Sequence, residues 1–400
     1  MGEFHSERGG GVRSYVNGLM EAAAVRGHEV ILVAPGPADS DERVRGGRVI
    51  RYRAPRMPYD GTYHFPYRLG LMRRWVESLQ PDVLQISSPY LPWLAARELR
   101  APVRSYVYHS DPIGAYVTPF TERWPRPLRE AAMDVAWRWM RSVCNSCDVT
   151  VVAGEWLGAE LKRHGVERVR AVPFGIAHDS FGPSRRSVAV RSRWAAVDAD
   201  HGSAASADTR LLLIAGRLAI EKRQALLVRA IAKLSESRAV SLLILGDGPE
   251  SARLRRLAER VLPETRFLPF TRDAAEYSAI LASADALVHG SCCETYGFVL
   301  VEALASGTPL VVPDRGGAAH LASPAAHELY AAGASEAEIA QAIANLLDRP
   351  REPARDAALE AARRHPSRQA HYDGLFGLYD ELLAPRAAQG TARSHATRAA

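Results

Sequence analysis

Short β-rich runs alternate with segments of helical period along nearly the whole chain, and this alternation admits few folds. Strands joined through helices cannot form hairpins, so they build parallel sheets covered by helices. In the first half the expected strands are Glu29 to Ala34, Arg48 to Arg53, Asp82 to Ile86, Val103 to Tyr108, Asp148 to Val152 and Val169 to Pro173. In the second half they are Arg210 to Gly216, Val240 to Gly246, Arg266 to Phe270, Ala286 to Gly290 and Pro309 to Pro313. The first helix is the clearest, because Val12, Tyr15, Val16, Leu19, Met20 and Ala23 recur every three or four residues and line one face. Between the two series, the stretch after Phe174 is rich in Gly, Ser, Ala and Asp with weak periodicity, and reads as a connector. A chain of 400 residues is too long for one core, so two doubly wound domains are expected. Ligands of such sheets collect beyond the carboxyl ends of the strands, and two such edges facing each other would form one cleft.

Composition excludes several classes. A charged fraction of 24% and a net charge of +6 are far from the excess that a dedicated nucleic-acid binder carries. No window approaches the roughly 18 uninterrupted apolar residues of a membrane span, and no cleavable leader is recognisable at Met1, which makes the cytosol the expected compartment. Four cysteines make no disulfide framework, and the single C-x-x-C of Cys144 and Cys147 lacks the second ligand pair of a zinc site. Arginine recurs beside tryptophan at Arg68, Arg73, Arg74 and Trp75, and again at Arg123, Trp124, Arg126, Arg129, Trp137, Arg138, Trp139 and Arg141. Such helices either rest on anionic lipid headgroups or turn their tryptophans to the core and their arginines to water.

The chemistry concentrates between Gly290 and Gly317, in GSCCETYGFVLVEALASGTPLVVPDRGG. Glu294 follows a strand, and Glu302 lies on the next helix; an ionised carboxylate accepts two hydrogen bonds and so matches a vicinal diol. Tyr296, Gly297, Phe298 and Val299 open that helix, where backbone amides meet a phosphate or a sugar hydroxyl at the positive end of the dipole. In AGRLAIEKR, Gly216 and Arg217 follow a strand and Lys222 opens the next helix; a guanidinium and an ammonium suit a diphosphate whose charge grows as it departs. Gly9, Gly10 and Gly11 precede the first helix and allow close approach of an anion, yet they form neither a dinucleotide fingerprint nor a phosphate-binding loop ending in Lys-Ser or Lys-Thr. His109 and Asp111, in YHSDPIGAY, follow a strand directly and stand where polar contacts to a reacting sugar are expected.

These residues together resemble the retaining GT-B glycosyltransferases of family 4, also called glycosyltransferase group 1. The resemblance spans nearly the whole chain, through GGGV, the HSD segment, VPFGIAHDSF, AGRLAIEKR, LGDGPE and ETYGFVLVEALASGTPLVV. It implies two Rossmann-like domains facing across a cleft: residues 1–180 for the acceptor, 181–365 for the nucleotide sugar, and 366–384 as a helix crossing back onto the first, before a disordered tail at 385–400. It implies further that Glu302 binds the nucleotide ribose and that Glu294 and the following amides hold the donor sugar. Arg217 and Lys222 would bind the diphosphate, the glycine loop would close over the phosphate, and His109 would contact the donor sugar. No metal and no further cofactor is implied; the leaving diphosphate helps to deprotonate the acceptor in a same-face substitution. PRMPYDGTY, RSRWA and GRLAIEKR are most similar to bacterial GDP-mannose-dependent α-mannosyltransferases acting on glycolipids at the inner face of the cell membrane. UDP-glucose or another donor with a small soluble acceptor is the alternative within the family, and a non-catalytic basic scaffold or nucleic-acid binder the alternative outside it. Family members begin with an apolar strand before the glycine loop, whereas only Met1 to His5 precede Ser6 here. A first sheet with ladder groups left unpaired is therefore expected.

Overall fold

The computed structural model describes Met1 and residues 11–58, 60–195, 209–271, 273–321 and 323–398, with side chains to 385. The chain divides into two compact units: Met1–Ile113 with Phe120–Gly175 and Arg368 onward, and Ile176–Ser367 with Gly114–Pro119.

The first unit holds seven strands among the described residues. β1 (Val30–Gly36), β2 (Ser40–Val44) and β3 (Gly47–Arg53) form one sheet in the order β1-β3-β2, with β2 antiparallel to β3. β4 (Val83–Ile86), β5 (Val103–Val107), β6 (Val149–Val152) and β7 (Val169–Ala171) form a second, wholly parallel sheet in chain order. The single open sheet expected for this half is thus divided between β1 and β4. Beside β4 the amino group of Met1 donates to Gln85 O at 2.6 Å and its carbonyl accepts from Ser87 N at 2.9 Å.

The helix Gly11–Val25 buries Tyr15, Val16, Leu19, Met20 and Ala23, the apolar stripe of its sequence. The last helix, Arg368–Arg398, packs in the same unit: Tyr372 Oη donates to Tyr15 O at 2.7 Å, and Tyr379 Oη reaches Gln85 Oε1 at 2.9 Å and Ser105 Oγ at 3.1 Å. Its backbone stays helical beyond Pro385, where a disordered tail was expected. Alanine is frequent from Ala387 to Ala396, and it is the best helix former. Cys144 and Cys147 are buried thiols, Cys144 pushed up to about 12 by burial. Trp137 stacks on His164 at 3.6 Å and Trp139 lies against Tyr90, so these two tryptophans pack on the unit.

The second unit is one sheet of six parallel strands: β8 (Arg210–Ala215), β9 (Val240–Leu245), β10 (Arg266–Leu268), β11 (Ala286–Val288), β12 (Leu310–Pro313) and β13 (His327–Tyr330). Their spatial order is β10-β9-β8-β11-β12-β13. Each strand on the β9 side follows its neighbour outward, and β11 restarts on the other side of β8, so the winding reverses between β8 and β11. Loops leaving the carboxyl ends there diverge to opposite faces and open a crevice. Helices Gln224–Ser235, Ser251–Val261 and Glu336–Leu347 bury Leu227, Ile231, Leu254, Ile339 and Ile343 against Leu212, Ile214, Leu242 and Ile244 of the strands.

Candidate active site

The charged residues singled out for donor binding, Arg217, Lys222, Glu294 and Glu302, all lie on the segments that follow β8 and β11. From β8 the chain passes through Gly216 and half-buried Arg217, whose carbonyl accepts from Gln224 Nε2 at 2.9 Å, to a short 3-10 turn at Ile220–Lys222. From β11 it passes through His289 and the loop 290–297 to the helix Phe298–Ala305. Lys222 Nζ donates to Glu294 Oε2 at 2.6 Å, joining the two loops. His289, buried at the end of β11, brings Nε2 to 3.2 Å from the same oxygen. Residues 72 positions apart in sequence meet here because two neighbouring parallel strands end side by side.

Electrostatics follow from that arrangement. Burial alone would raise the Glu294 carboxyl, but the Lys222 ammonium and the His289 ring hold it well below the usual carboxylate range. Burial works against the charge on Lys222, and Glu294 more than offsets it, so the ammonium is raised. His289 is lowered by burial and by Lys222 despite the carboxylate beside it. At neutral pH the cluster is an ion pair with a neutral imidazole. The ammonium has three donors, so it can hold Glu294 and reach a second anion at once.

Three glycines shape the loop. Gly297 takes φ +80 directly before the helix, and a Cβ there would lie 2.9 Å from Leu300 Cδ1 and 3.1 Å from Glu294 Cγ. The first intrahelical bond runs from Leu300 N to Gly297 O, leaving the amides of Phe298 and Val299 in the first turn ahead of it. Gly316, at φ +73 after β12, lies so close that a Cβ would meet Cys292 O at 2.7 Å, and Gly317 N donates to Glu294 O at 2.6 Å. The double glycine thus buttresses the backbone that carries Glu294. Tyr296 is buried between Phe298 and His365, while Phe298 and Val299 are half-buried.

Glu302 is one turn into the helix and accepts from Tyr277 Oη at 2.6 Å. Tyr277 comes from the helix Ala274–Ser283, whose N-terminus Asp273 caps by accepting from Ala275 N and Glu276 N. The remaining expected residues lie in the first unit. Gly11 begins the first helix, and Gly10 lies outside the described residues. His109 follows β5 in an aromatic box, 4.5 Å from the Tyr15 ring and stacked on Phe174 at 5.7 Å; burial, with His371 and the chain's amino terminus, lowers it to about 3. Asp111 accepts from Ile113 N at 3.0 Å and from Tyr108 Oη at 3.4 Å, closing the turn after His109. His289, Tyr277 and the Gly316–Gly317 pair escaped the sequence reading. His289 carried a usable signal, its place at a strand's carboxyl end, whereas Tyr277 stands 25 residues from its partner in a segment with no motif.

The architecture is shared with solved glycosyltransferases. Sucrose-phosphate synthase from Thermosynechococcus elongatus superimposes with a TM-score of 0.73 at 21% identity, over 96% of each chain. Anabaena HepE, solved with UDP and glucose, gives 0.67 at 16% identity over 94% of this chain and 98% of that one. These likenesses define the fold: the protein has the two Rossmann-like units of the GT-B glycosyltransferases. The model of glycosyl transferases group 1 matches residues 198–365, and that of glycosyltransferase family 4 matches residues 9–180. A GDP-mannose-dependent alpha-mannosyltransferase of Mycobacterium tuberculosis is 31% identical over 352 residues, 84% of each chain. One from Corynebacterium glutamicum is 29% identical over 77% of this chain and 70% of its own. A GDP-mannose-dependent alpha-(1-6)-phosphatidylinositol dimannoside mannosyltransferase of M. tuberculosis is 31% identical over 77% of each. The chain belongs to this glycosyltransferase family, group 1 with a family 4 amino-terminal half, and is a nucleotide-sugar-dependent glycosyltransferase.

Proposed function

We propose that the enzyme transfers a mannosyl group from GDP-mannose to a hydroxyl of a lipid-linked or glycan acceptor, with retention of configuration and without a metal ion. The observation that carries this is the Lys222–Glu294 ion pair with His289 at the winding reversal of the second unit. The donor's identity is taken from the relatives, which are named for GDP-mannose.

In this reading the second unit binds the nucleotide sugar. Glu302 accepts from the ribose hydroxyls. Glu294 accepts from sugar hydroxyls while the amides of Phe298 and Val299, set by Gly297 and backed by Tyr296, donate to the donor. Arg217, after Gly216, and Lys222 neutralise the diphosphate, and their two positive charges take the part a divalent cation plays elsewhere. The bond from C1 to the phosphate oxygen breaks as the acceptor oxygen bonds C1 on the same face, and the acceptor proton passes to the departing diphosphate. In the first unit, Gly11 is the backbone proposed to meet a phosphate, and His109 and Asp111 the side chains proposed to meet sugar hydroxyls. His109, neutral in its aromatic box, acts by hydrogen bonding and not by charge.

A lipid-linked acceptor brings the enzyme to the inner face of the cell membrane. In the first unit, residues 122–131 are all exposed, including the start of the helix Arg126–Asn145. Phe120, Trp124, Leu128 and Val135 are exposed there beside Arg123, Arg126 and Arg129, a composition suited to an anionic interface. Among the described residues no helix is long and apolar enough to cross a membrane.

The test is a transfer reaction with GDP-mannose carrying carbon-13 at C1, a phosphatidylinositol mannoside as acceptor, and a chelator present. An α-linked product at full rate is expected. A β-linked product, loss of rate with the chelator, or turnover only with a UDP-sugar would overturn the corresponding part.

A further inference from the structure

Tyr277, which contacts Glu302, lies off every motif of the chain. Tyr277 Oη is 2.6 Å from Glu302 Oε2. Its ring is buried, with Phe181 edge-on at 6.1 Å and Phe270 tilted at 5.5 Å, so the hydroxyl has one direction in which to point. The Asp273 cap fixes the start of the helix that carries it.

A carboxylate on a helix rotates about its terminal torsion with little restraint. Gripping two neighbouring hydroxyls demands one orientation, and freezing the group at the moment of binding lowers affinity. We propose that Tyr277 is a positioning residue for donor recognition: its hydroxyl holds Oε2 of Glu302 so that Oε1 is aimed at the nucleotide's sugar, and it thereby sets the preference for ribose over deoxyribose. This rests on the reading of Glu302 as the ribose acceptor.

The tyrosine suits the task in a second way. Burial and the adjacent Glu302 raise its phenol well above the ordinary value, so it remains a neutral donor throughout the working range. A lysine there would pair with Glu302 and weaken its appeal to a neutral hydroxyl. The phenol instead orients the charge without cancelling it, and a charge-assisted hydrogen bond to the sugar remains available. Discrimination follows, because a half-buried carboxylate aimed at a hydroxyl loses that charge-assisted bond when the hydroxyl is missing.

The experiment compares GDP-mannose with its 2′,3′-dideoxyribose analogue on the wild-type enzyme, Tyr277→Phe and Glu302→Ala. Tyr277→Phe keeps the ring between Phe181 and Phe270 and removes only the hydroxyl. With GDP-mannose it is expected to raise the donor KM about tenfold with kcat unchanged, and with the dideoxy donor to change neither. An unchanged KM for GDP-mannose, or the same rise with both donors, overturns the proposal, the latter because packing alone would act on both. Glu302→Ala separates the two levels: a tenfold or larger rise with GDP-mannose upholds the ribose reading whatever Tyr277→Phe does. An unchanged KM in Glu302→Ala overturns that reading, and this inference with it. Thermal unfolding of Tyr277→Phe within a few degrees of wild type is expected, and Tyr277→Leu, which loses ring and hydroxyl together, must then show the donor-independent component that Tyr277→Phe lacks.

Discussion

Replacing Lys222 by methionine removes the cation that joins the two loops and leaves the length of the side chain. Nζ is 2.6 Å from Glu294 Oε2, and the two side chains are 24% and 15% exposed. Unit charges about 3.5 Å apart at an effective dielectric of about 20 attract by roughly 5 kcal/mol. Desolvation offsets part of this, and removing one partner of a buried pair costs about 3–5 kcal/mol. Residual solvent and the nearby His289 place Lys222→Met near the lower end, about 3 kcal/mol. The sign of its pH dependence follows from Glu294. In the wild type the folded carboxyl lies below its unfolded value of 4.5, so it contributes stability above that value, which is lost as the pH falls through the folded one. In the variant burial acts without the cation, the folded carboxyl rises above 4.5, and its penalty disappears as the pH falls and the group protonates. Urea unfolding at about pH 7 and about pH 4 should therefore show a gap between the proteins that narrows in acid. A gap below about 1 kcal/mol at neutral pH, or one of constant size, would refute the reasoning.

Other consequences concern the first unit. His371 is buried, donates from Nδ1 to Pro173 O at 3.0 Å, and is lowered to about 4, chiefly by burial. The unfolded chain binds its proton more readily, so stability is full above about pH 6.5 and declines towards pH 4, by on the order of 3 kcal/mol for this residue. A His371→Phe variant should show a flatter urea midpoint over that range, and an unchanged slope would count against the assignment. Leu128, exposed at the start of its helix, is expected to carry vesicle binding: Leu128→Glu should lower cosedimentation with anionic vesicles several-fold, while transfer to a water-soluble acceptor stays unchanged. Equal cosedimentation of both proteins would remove this surface from the account.

Much of the second unit could be read before its structure was known. Its strands are continuous apolar runs buried on both faces, and the local signal agrees with the tertiary one. β13, His327–Tyr330, lacks such a run and was not expected; backbone pairing with β12 makes it a strand. β2, Ser40–Val44, was missed for a related reason, since SDERV is an exposed edge strand with no buried face to impose alternation. Of the candidate site, the Lys222–Glu294 pair stood out in the sequence because charge after an apolar strand is informative, and Glu302 because it is the lone charge on an apolar helix. His289 and Tyr277 did not, because a residue that supports another is recognised only through a contact, and contacts across strands leave no spacing in the sequence. The basic, tryptophan-rich stretches divided in the same way: Trp137 and Trp139, on the helix, pack against His164 and Tyr90, while Trp124, in the bend before it, stays exposed.

The central claim is that the crevice between β8 and β11 holds the activated sugar. A crystal structure of the enzyme soaked with GDP-mannose tests it most directly. The account predicts ribose hydroxyls within hydrogen-bonding distance of Glu302 and the diphosphate against Arg217 and Lys222. Nucleotide density away from these three side chains, with Lys222 still closed on Glu294 and nothing bound beside them, would contradict it.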